Sequence, residues 1–209
     1  MMKETAARGR PAKSMALIRK TVFSAAIDII EVKGVSAVSI DEIARQSRLA
    51  KKTIYKYFDS KDMLINEMIV AWTSTRTLPE LHKASSKEDV LNKLRLFFIA
   101  LGSRVLSRES VAIYKYLQNE KADKREKLAV YRSGGIVNAS SMLNRWLEEA
   151  RSAGWINPSW PQNGAAYLQA LIVTPLLRDI SLGITPAPTE SEMGLIIDRV
   201  LTDFRPLLL

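Results

Sequence analysis

An all-α fold, with a small three-helix N-terminal domain joined to a larger helical one, is what this sequence predicts, and three observations predict it. Apolar residues recur at helical spacing in almost every segment, and no segment shows the strict alternation of a half-buried strand. Gly34, Pro79, the pair Gly134-Gly135 and Gly154 punctuate the periodic stretches at helix-length intervals. Charge divides the chain: residues 1–61 hold 13 Lys/Arg against 6 Asp/Glu, and residues 62–209 hold 18 against 16, within a net +9. A positive field confined to the first third suits an anionic partner, either nucleic acid or a membrane surface.

Composition narrows the classes further. At 209 residues and 47% apolar content the chain can bury a real core. No apolar run reaches the roughly 18 residues of a membrane span; "ALIVTPLL", Ala170 to Leu177, is broken by Pro175 and followed by Arg178 and Asp179. The N-terminus shows no apolar segment of a signal peptide, and the absence of cysteine is compatible with a cytoplasmic location. A single His82 leaves little for zinc or triad chemistry, so neither a metal nor a cofactor is expected. No glycine-rich phosphate loop or nucleophile motif appears, which argues against an enzyme.

Residues 1–14 read as a basic, flexible arm. From about Ser14 to Lys33, Ile18, Val22, Ala25, Ala26, Ile29 and Ile30 mark one face of a first helix, with Gly34 as its stop. Ser39 and Glu42 form an S-x-x-E capping box before a short second helix, about Ile40 to Ser47. A third helix starts near Lys51 and ends around Tyr57 or Phe58, with Leu49 and Ile54 spaced for a hydrophobic staple. Asp59 or Ser60 caps a fourth, which carries Leu64, Met68 and Trp72.

Two short helices across a tight turn, packed on a first helix, make a helix-turn-helix. In its second helix, "LAKKTIYKYFDSKDML", Ile54 and Phe58 at i and i+4 must face inward, which turns Lys51, Lys52, Thr53, Tyr55, Lys56 and Tyr57 toward the other surfaces. The N-terminal residues of such a helix meet base edges while its flanks grip phosphates, and Lys61 adds an ammonium to a helix start.

The stretch "VSIDEIARQSRLAKKTIYKYFDSKDMLINEMI" resembles the DNA-binding domain of the tetracycline-repressor (TetR) family of bacterial transcription regulators, and "VFSAAIDIIEVKG" is similar to that family's first helix. The resemblance implies phosphate contacts from Thr53, Tyr55, Tyr57 and Lys61, with Tyr55 also near bases, base-reading positions at Lys51 and Lys52, and Ser39 and Lys56 within the same interface. The chain departs from the family at Arg48, where glycine is usual in the turn, and at Ala50, where a capping residue is usual. The implied domains are the helix-turn-helix over residues 15–75 and a regulatory and dimerisation domain over 76–209. In the arm, Arg8-Gly9-Arg10-Pro11 resembles the AT-hook, which makes Arg8 and Arg10 candidates for a minor-groove contact.

Beyond Pro79 about five more helices are expected. Ser85 with Glu88 offers a capping box, Ser107 caps the next helix, and a long helical region from about Asp123 to Ala153 is interrupted in pattern at Gly134-Gly135. Ser159 with Gln162 suggests a further box before "AAYLQALIVTPLLRDISLG". The last helix aligns Met193, Ile196, Ile197, Val200, Leu201 and Phe204 on one face. The family's last two helices pair with those of a second copy, which makes Leu176, Ile180, Met193, Ile197, Val200, Leu201 and Phe204 candidates for a homodimer interface. The segment "SRESVAIYKYLQNEKADKREKLAVYRSGG" is similar to the AefR-like regulatory domains of the family. An effector pocket among the middle helices is implied, with Phe97, Phe98, Tyr114, Tyr131, Met142, Trp146 and Leu171 as candidate linings for an apolar or amphipathic small molecule. The resemblance therefore implies a homodimeric repressor of operator DNA, released by a small molecule. An activator of the same family, or a basic protein of membrane surfaces, is the alternative reading.

Overall fold

The structure is a computed structural model that describes residues 14–75, 78–119 and 125–209. All its regular elements are helical, and they fall into two compact units, residues 1–63 and 64–209. No described helix is long and apolar enough to cross a membrane.

In the first unit, α1 (Met15–Lys33) is capped by Ser14, whose Oγ accepts from the Leu17 N–H, and stops at Gly34. Its inward face carries Ile18, Val22, Ala25, Ala26, Ile29 and Ile30, all buried. Helix α2 spans Ile40–Ser47 and α3 spans Lys51–Tyr55. Buried Ile43, Ile54 and Phe58 complete a small core, in which Phe23 and Phe58 meet with ring centres 5.9 Å apart. Helix α3 is shorter than its sequence pattern suggests: after Tyr55 the chain continues as a hydrogen-bonded turn, with the N–H groups of Tyr57 and Phe58 both bonded to the Ile54 carbonyl. Helix α4 (Lys61–Thr75) starts in this unit, with Ser60 Oγ accepting from the Met63 N–H.

The second unit adds α5 (Lys87–Val105), α6 (Arg108–Asn119), α7 (Arg125–Tyr131), α8 (Asn138–Ser152), α9 (Gly164–Ile172), α10 (Thr174–Ser181) and α11 (Glu190–Leu208). A π-helical turn over Arg132–Val137 joins α7 to α8 at the predicted interruption, Gly134-Gly135. Pro175, which lacks an N–H and crowds the preceding turn, separates α10 from α9. The core runs from Val90, Leu94 and Phe98 on α5 through Leu143 and Leu147 on α8 to Ile197 and Leu201 on α11.

Two expected caps need correction. Ser86, not Ser85, caps α5 by accepting from the Asp89 N–H, while Ser85 donates through its N–H and hydroxyl to the Asp89 carboxylate. Ser159 caps nothing: it donates to Asn157 Oδ1, and α9 starts from Asn163 without a side-chain cap. Both errors come from counting S-x-x-E/Q spacing without the backbone direction that a cap requires. A full capping box does form at Thr189 and Glu192, which opens α11.

Candidate functional site

The site starts at a turn. Ser39 Oγ accepts from the Glu42 N–H at 3.2 Å, so half of the predicted capping box forms. The Glu42 carboxylate does not reach back to Ser39 but takes Arg45 and Lys33 instead, with Arg45 Nε at 2.9 Å and Lys33 Nζ at 2.5 Å. Hydrogen bonds from Arg45, then Lys33, hold its pKa down at about 2. Helix α2 closes with Leu49 N–H on the Ala44 carbonyl and Arg48 N–H on the Arg45 carbonyl, the pair of bonds of a Schellman turn. That turn demands a left-handed residue, and Arg48 supplies it at φ 54° and ψ 36°. It is the non-glycine residue with positive φ among the described residues. Helix α3 then begins from Ala50 with no side-chain cap.

Exposure sorts the predicted contact residues. Ser39, Lys51, Lys52, Tyr55 and Lys56 are exposed, while Thr53, Tyr57 and Lys61 are half-buried. Their inward neighbours Ile54 and Phe58 have no exposure at all, so the side of α3 that carries the cations is fixed by the core. Lys56 Nζ lies 5.7 Å from the centre of the Tyr57 ring. Lys51 Nζ pairs with Asp41 across the turn at 2.7 Å, a contact that no local spacing rule could have found. Both partners are well exposed, and such pairs contribute ~0–1 kcal/mol, so Lys51 can exchange Asp41 for another anion at little cost. Arg8 and Arg10 lie outside the described residues.

The C-terminal unit contains a cavity of about 270 Å³. Tyr114 and Tyr131 line it, together with Trp72, Arg104, Gly135, Gln169 and an apolar wall of Leu101, Val105, Ala139, Val173 and Leu177. Trp72 and Tyr131 stack at 5.6 Å and 15°. Burial first, and the neighbouring Tyr114 second, push the Tyr131 phenol up to about 12, so it stays protonated and can donate. The other predicted lining residues lie elsewhere. Phe97 and Phe98 are fully buried core residues that meet edge to face. Trp146 is buried in the same core with its Nε1–H on the His82 carbonyl at 2.9 Å, Met142 packs against that core, and Leu171 is 43% exposed on α9. A helical stripe looks the same in sequence whether it faces packed side chains or a cavity. Trp72 and Arg104 were missed because Trp72 reads as the end of α4 and Arg104 as a last-turn cation of α5.

A larger hollow of about 680 Å³ is lined by the predicted Trp146 and by Ala84, Ala150 and Ala153, together with the charged Lys83, Arg145, Glu148 and Glu149. Among the described residues no group of three or more His, Cys, Asp or Glu is placed to hold a metal.

The candidate dimer residues divide into two sets. Met193, Ile197 and Leu201 are enclosed by their own chain, so they belong to its core and offer a partner little surface. Leu176, Ile180, Val200 and Phe204 are only partly buried. Exposed apolar residues beyond those expected include Tyr167 at 54% on α9 and Leu195 at 69% on α11.

Comparison with known proteins agrees with this geometry. Residues 22–68 match the family model described as bacterial regulatory proteins, tetR family. The uncharacterized HTH-type transcriptional regulator YdeS of Bacillus subtilis (strain 168) is 33% identical over 122 residues, 58% of this chain and 57% of that protein. The match thus spans little more than half the length of that relative. A TetR transcriptional regulator from Agrobacterium tumefaciens superposes with a TM-score of 0.74 at 20% identity, covering 91% of this chain and 93% of that one. The flavonoid-responsive regulator FrrA gives 0.64 at 27% identity, covering 92% and 97%. Residues 22–68, which hold the left-handed turn between α2 and α3 and the buried Ile54–Phe58 anchor, match the tetR family of bacterial regulatory proteins, and the chain shares the fold of TetR regulators.

Proposed function

We propose that the chain is a homodimeric transcriptional regulator, a repressor that leaves its operator when a small apolar or amphipathic molecule fills the cavity of the C-terminal unit. The observation that carries the reading is the display of Lys51, Lys52, Tyr55 and Lys56 around a fully buried Ile54 and Phe58. Cations at the start of a short helix on a rigid turn suit base edges, with phosphates gripped around them. In this reading Lys51 and Lys52 face bases, and Ser39, Thr53, Tyr55, Lys56, Tyr57 and Lys61 hold the backbone. Arg8 and Arg10 reach a neighbouring minor groove. Repression requires no chemistry, only occupation of promoter DNA.

The partly buried Leu176, Ile180, Val200 and Phe204, with exposed Tyr167 and Leu195, supply the surface of a second copy, since helix-turn-helix proteins read paired half-sites. An AefR-like regulatory domain is part of the same reading. The flavonoid response in the name of FrrA supports a small-molecule effector here. Helix α4 starts at Lys61 and carries Trp72 into the cavity wall, which makes it the route of coupling.

The test begins with genomic fragments selected by the purified protein. Lys61→Ala should weaken every duplex and flatten the slope of log affinity against log salt by about one. Lys52→Ala should also change sequence preference. Equal retention on anionic vesicles and on duplex DNA at matched salt would instead favour a membrane-surface role. An effector that weakens operator binding must itself be weakened by operator to the same factor.

A further inference from the structure

Resting on the reading of the cavity as an effector site, we propose that its ligand is an aromatic compound bearing a carbonyl, which accepts a hydrogen bond from the Gln169 side-chain amide, held in orientation by Ser140. Gln169 lies on α9 and lines the cavity, and its side chain is tied to α8, where Ser140 Oγ donates to Gln169 Oε1 at 2.7 Å. The Gln169 backbone is tied as well, since its carbonyl accepts from the Val173 N–H at 2.9 Å and from Thr174 Oγ1 at 3.4 Å. A primary amide has one acceptor oxygen and an NH₂ group with two donors. With Oε1 turned to Ser140, the NH₂ group is the part that faces away from it, so Gln169 meets a ligand as a donor. Ser140 is not among the described lining residues of the cavity and acts through Gln169.

The rest of the wall favours the same class. Trp72 and Tyr131 stack at 5.6 Å and 15° and give the cavity aromatic surface, while Leu101, Val105, Val173 and Leu177 make it apolar. Burial, then the neighbouring Tyr114, keeps the Tyr131 phenol protonated with its pKa up at about 12, which adds a second donor. No Asp or Glu occurs among the described lining residues, so no carboxylate is there to pair with an ammonium group. The Arg104 guanidinium is already engaged, by the Thr73 carbonyl at 3.1 Å and by the Trp72 ring 5.2 Å away, and a neutral acceptor leaves those contacts in place. A carbonyl gives up its hydrogen bond to water on entering an apolar cavity, and a fixed donor restores it. A hydrocarbon of the same shape would instead cover the Gln169 N–H and leave it unpaired, at the full cost of its desolvation. A volume of about 270 Å³ lies just under the roughly 300–1,000 Å³ of drug-sized sites. One or two rings with a short polar arm fit that space better than a long acyl chain.

The test measures binding of 2-acetylnaphthalene and of 2-ethylnaphthalene, which carries a methylene in place of the carbonyl, to the full-length protein by calorimetry. The quantity read is the ratio of the two association constants, ketone over hydrocarbon. In Gln169→Leu that ratio should fall about fivefold or more from its wild-type value, the worth of one hydrogen bond. In Ser140→Ala it should fall about two- to threefold, because a released amide presents its N–H for only part of the time. A loss of packing alone would lower both constants together and leave the ratio unmoved. Val173→Trp, which fills the cavity, should abolish binding of both probes. An unchanged ratio in Gln169→Leu overturns the proposal while leaving the cavity as an effector site, and a ratio that Ser140→Ala leaves unmoved overturns the positioning by Ser140. Binding that survives Val173→Trp overturns the assignment of the ligand to this cavity. If Gln169→Leu does not fold, the infrared carbonyl stretch of bound 2-acetylnaphthalene decides: a frequency below that in hexane supports the hydrogen bond, and one equal to it overturns the bond. Binding of neither probe overturns the aromatic carbonyl class, and if a wider panel of apolar compounds without a carbonyl also fails, the effector reading falls with it.

Discussion

Helix α2 in the N-terminal unit and helices α8 and α10 in the C-terminal unit end in the same hydrogen-bonded turn, with different residues at its left-handed position. The closing bonds are Leu49 N–H to the Ala44 carbonyl, Trp155 to Ala150 and Ile184 to Asp179, at 3.1, 3.0 and 2.9 Å. Gly154 and Gly183 take the left-handed position in the C-terminal unit, at φ 81° and 74°, where Arg48 takes it in the N-terminal unit. The N-terminal unit thus keeps its strain at an exposed turn, the one that presents α3. The C-terminal unit places glycine at its left-handed turns and carries its irregular features inside, as the π-helical turn, the buried Arg104 and the cavity. Strain persists where the surroundings over-determine it, and here the unexposed Ile43 and Ile54 fix the chain on both sides of the turn.

The largest expected effect tests whether the C-terminal unit depends on its interior. Ile197 has no exposure, so Ile197→Glu buries an unpaired carboxylate and should abolish cooperative thermal unfolding of that unit followed by circular dichroism. Leu195→Glu, two residues away and 69% exposed, should change stability by no more than ~0.5 kcal/mol. It should still weaken self-association in sedimentation if that side of α11 meets a second copy. An Ile197→Glu protein with wild-type melting would remove α11 from the core.

Next comes the π-helical turn. A Cβ on Gly134 would stand 2.7 Å from the Thr73 Cβ, a branched carbon close to the backbone that cannot swing away. Gly134→Ala should therefore cost ~1–3 kcal/mol in denaturant unfolding, as overpacking does. A neutral effect would mean that α4 and the π-helical turn separate easily.

The shared turn itself can be exchanged between units. Gly154→Arg should cost ~1–2 kcal/mol, the strain of a left-handed side-chain-bearing residue, and Arg48→Gly should recover up to ~1 kcal/mol of it. If Arg48→Gly destabilises instead, the Arg48 side chain makes a stabilising contact that outweighs its backbone. The smallest effect is electrostatic. Glu42 titrates at about 2 in the folded chain instead of the ordinary 4.5. A carboxylate with a lowered pKa contributes stability above its unfolded pKa and loses it as pH falls through the folded one. The N-terminal unit should accordingly lose part of its stability between about pH 4.5 and 2, and Glu42→Gln should flatten that dependence, measured as melting temperature against pH. The pair is partly exposed, so added salt should shrink the difference.

By itself the sequence determined whatever depends on neighbours within one or two turns. The bounds of α2, the Ser39 cap, the stops at Gly34 and Gly154, the break at Gly134-Gly135 and the inward Ile54–Phe58 pair all follow from local hydrogen bonding and i, i+4 spacing. The same locality made the exposed cations of α3 readable, because once Ile54 and Phe58 point inward the others cannot. Tertiary structure alone decided what each helical face meets. Periodicity marks an apolar face but not its neighbour, so Phe97, Phe98 and Trp146 went to packed core while Tyr114 and Tyr131 reached the cavity. It also made Met193, Ile197 and Leu201 core residues of their own chain and left Leu195 outside. The Lys51–Asp41 pair and the Arg104 bond to Thr73, 31 residues apart, belong to the same class. Their energies depend on distances that only the packing of whole helices sets.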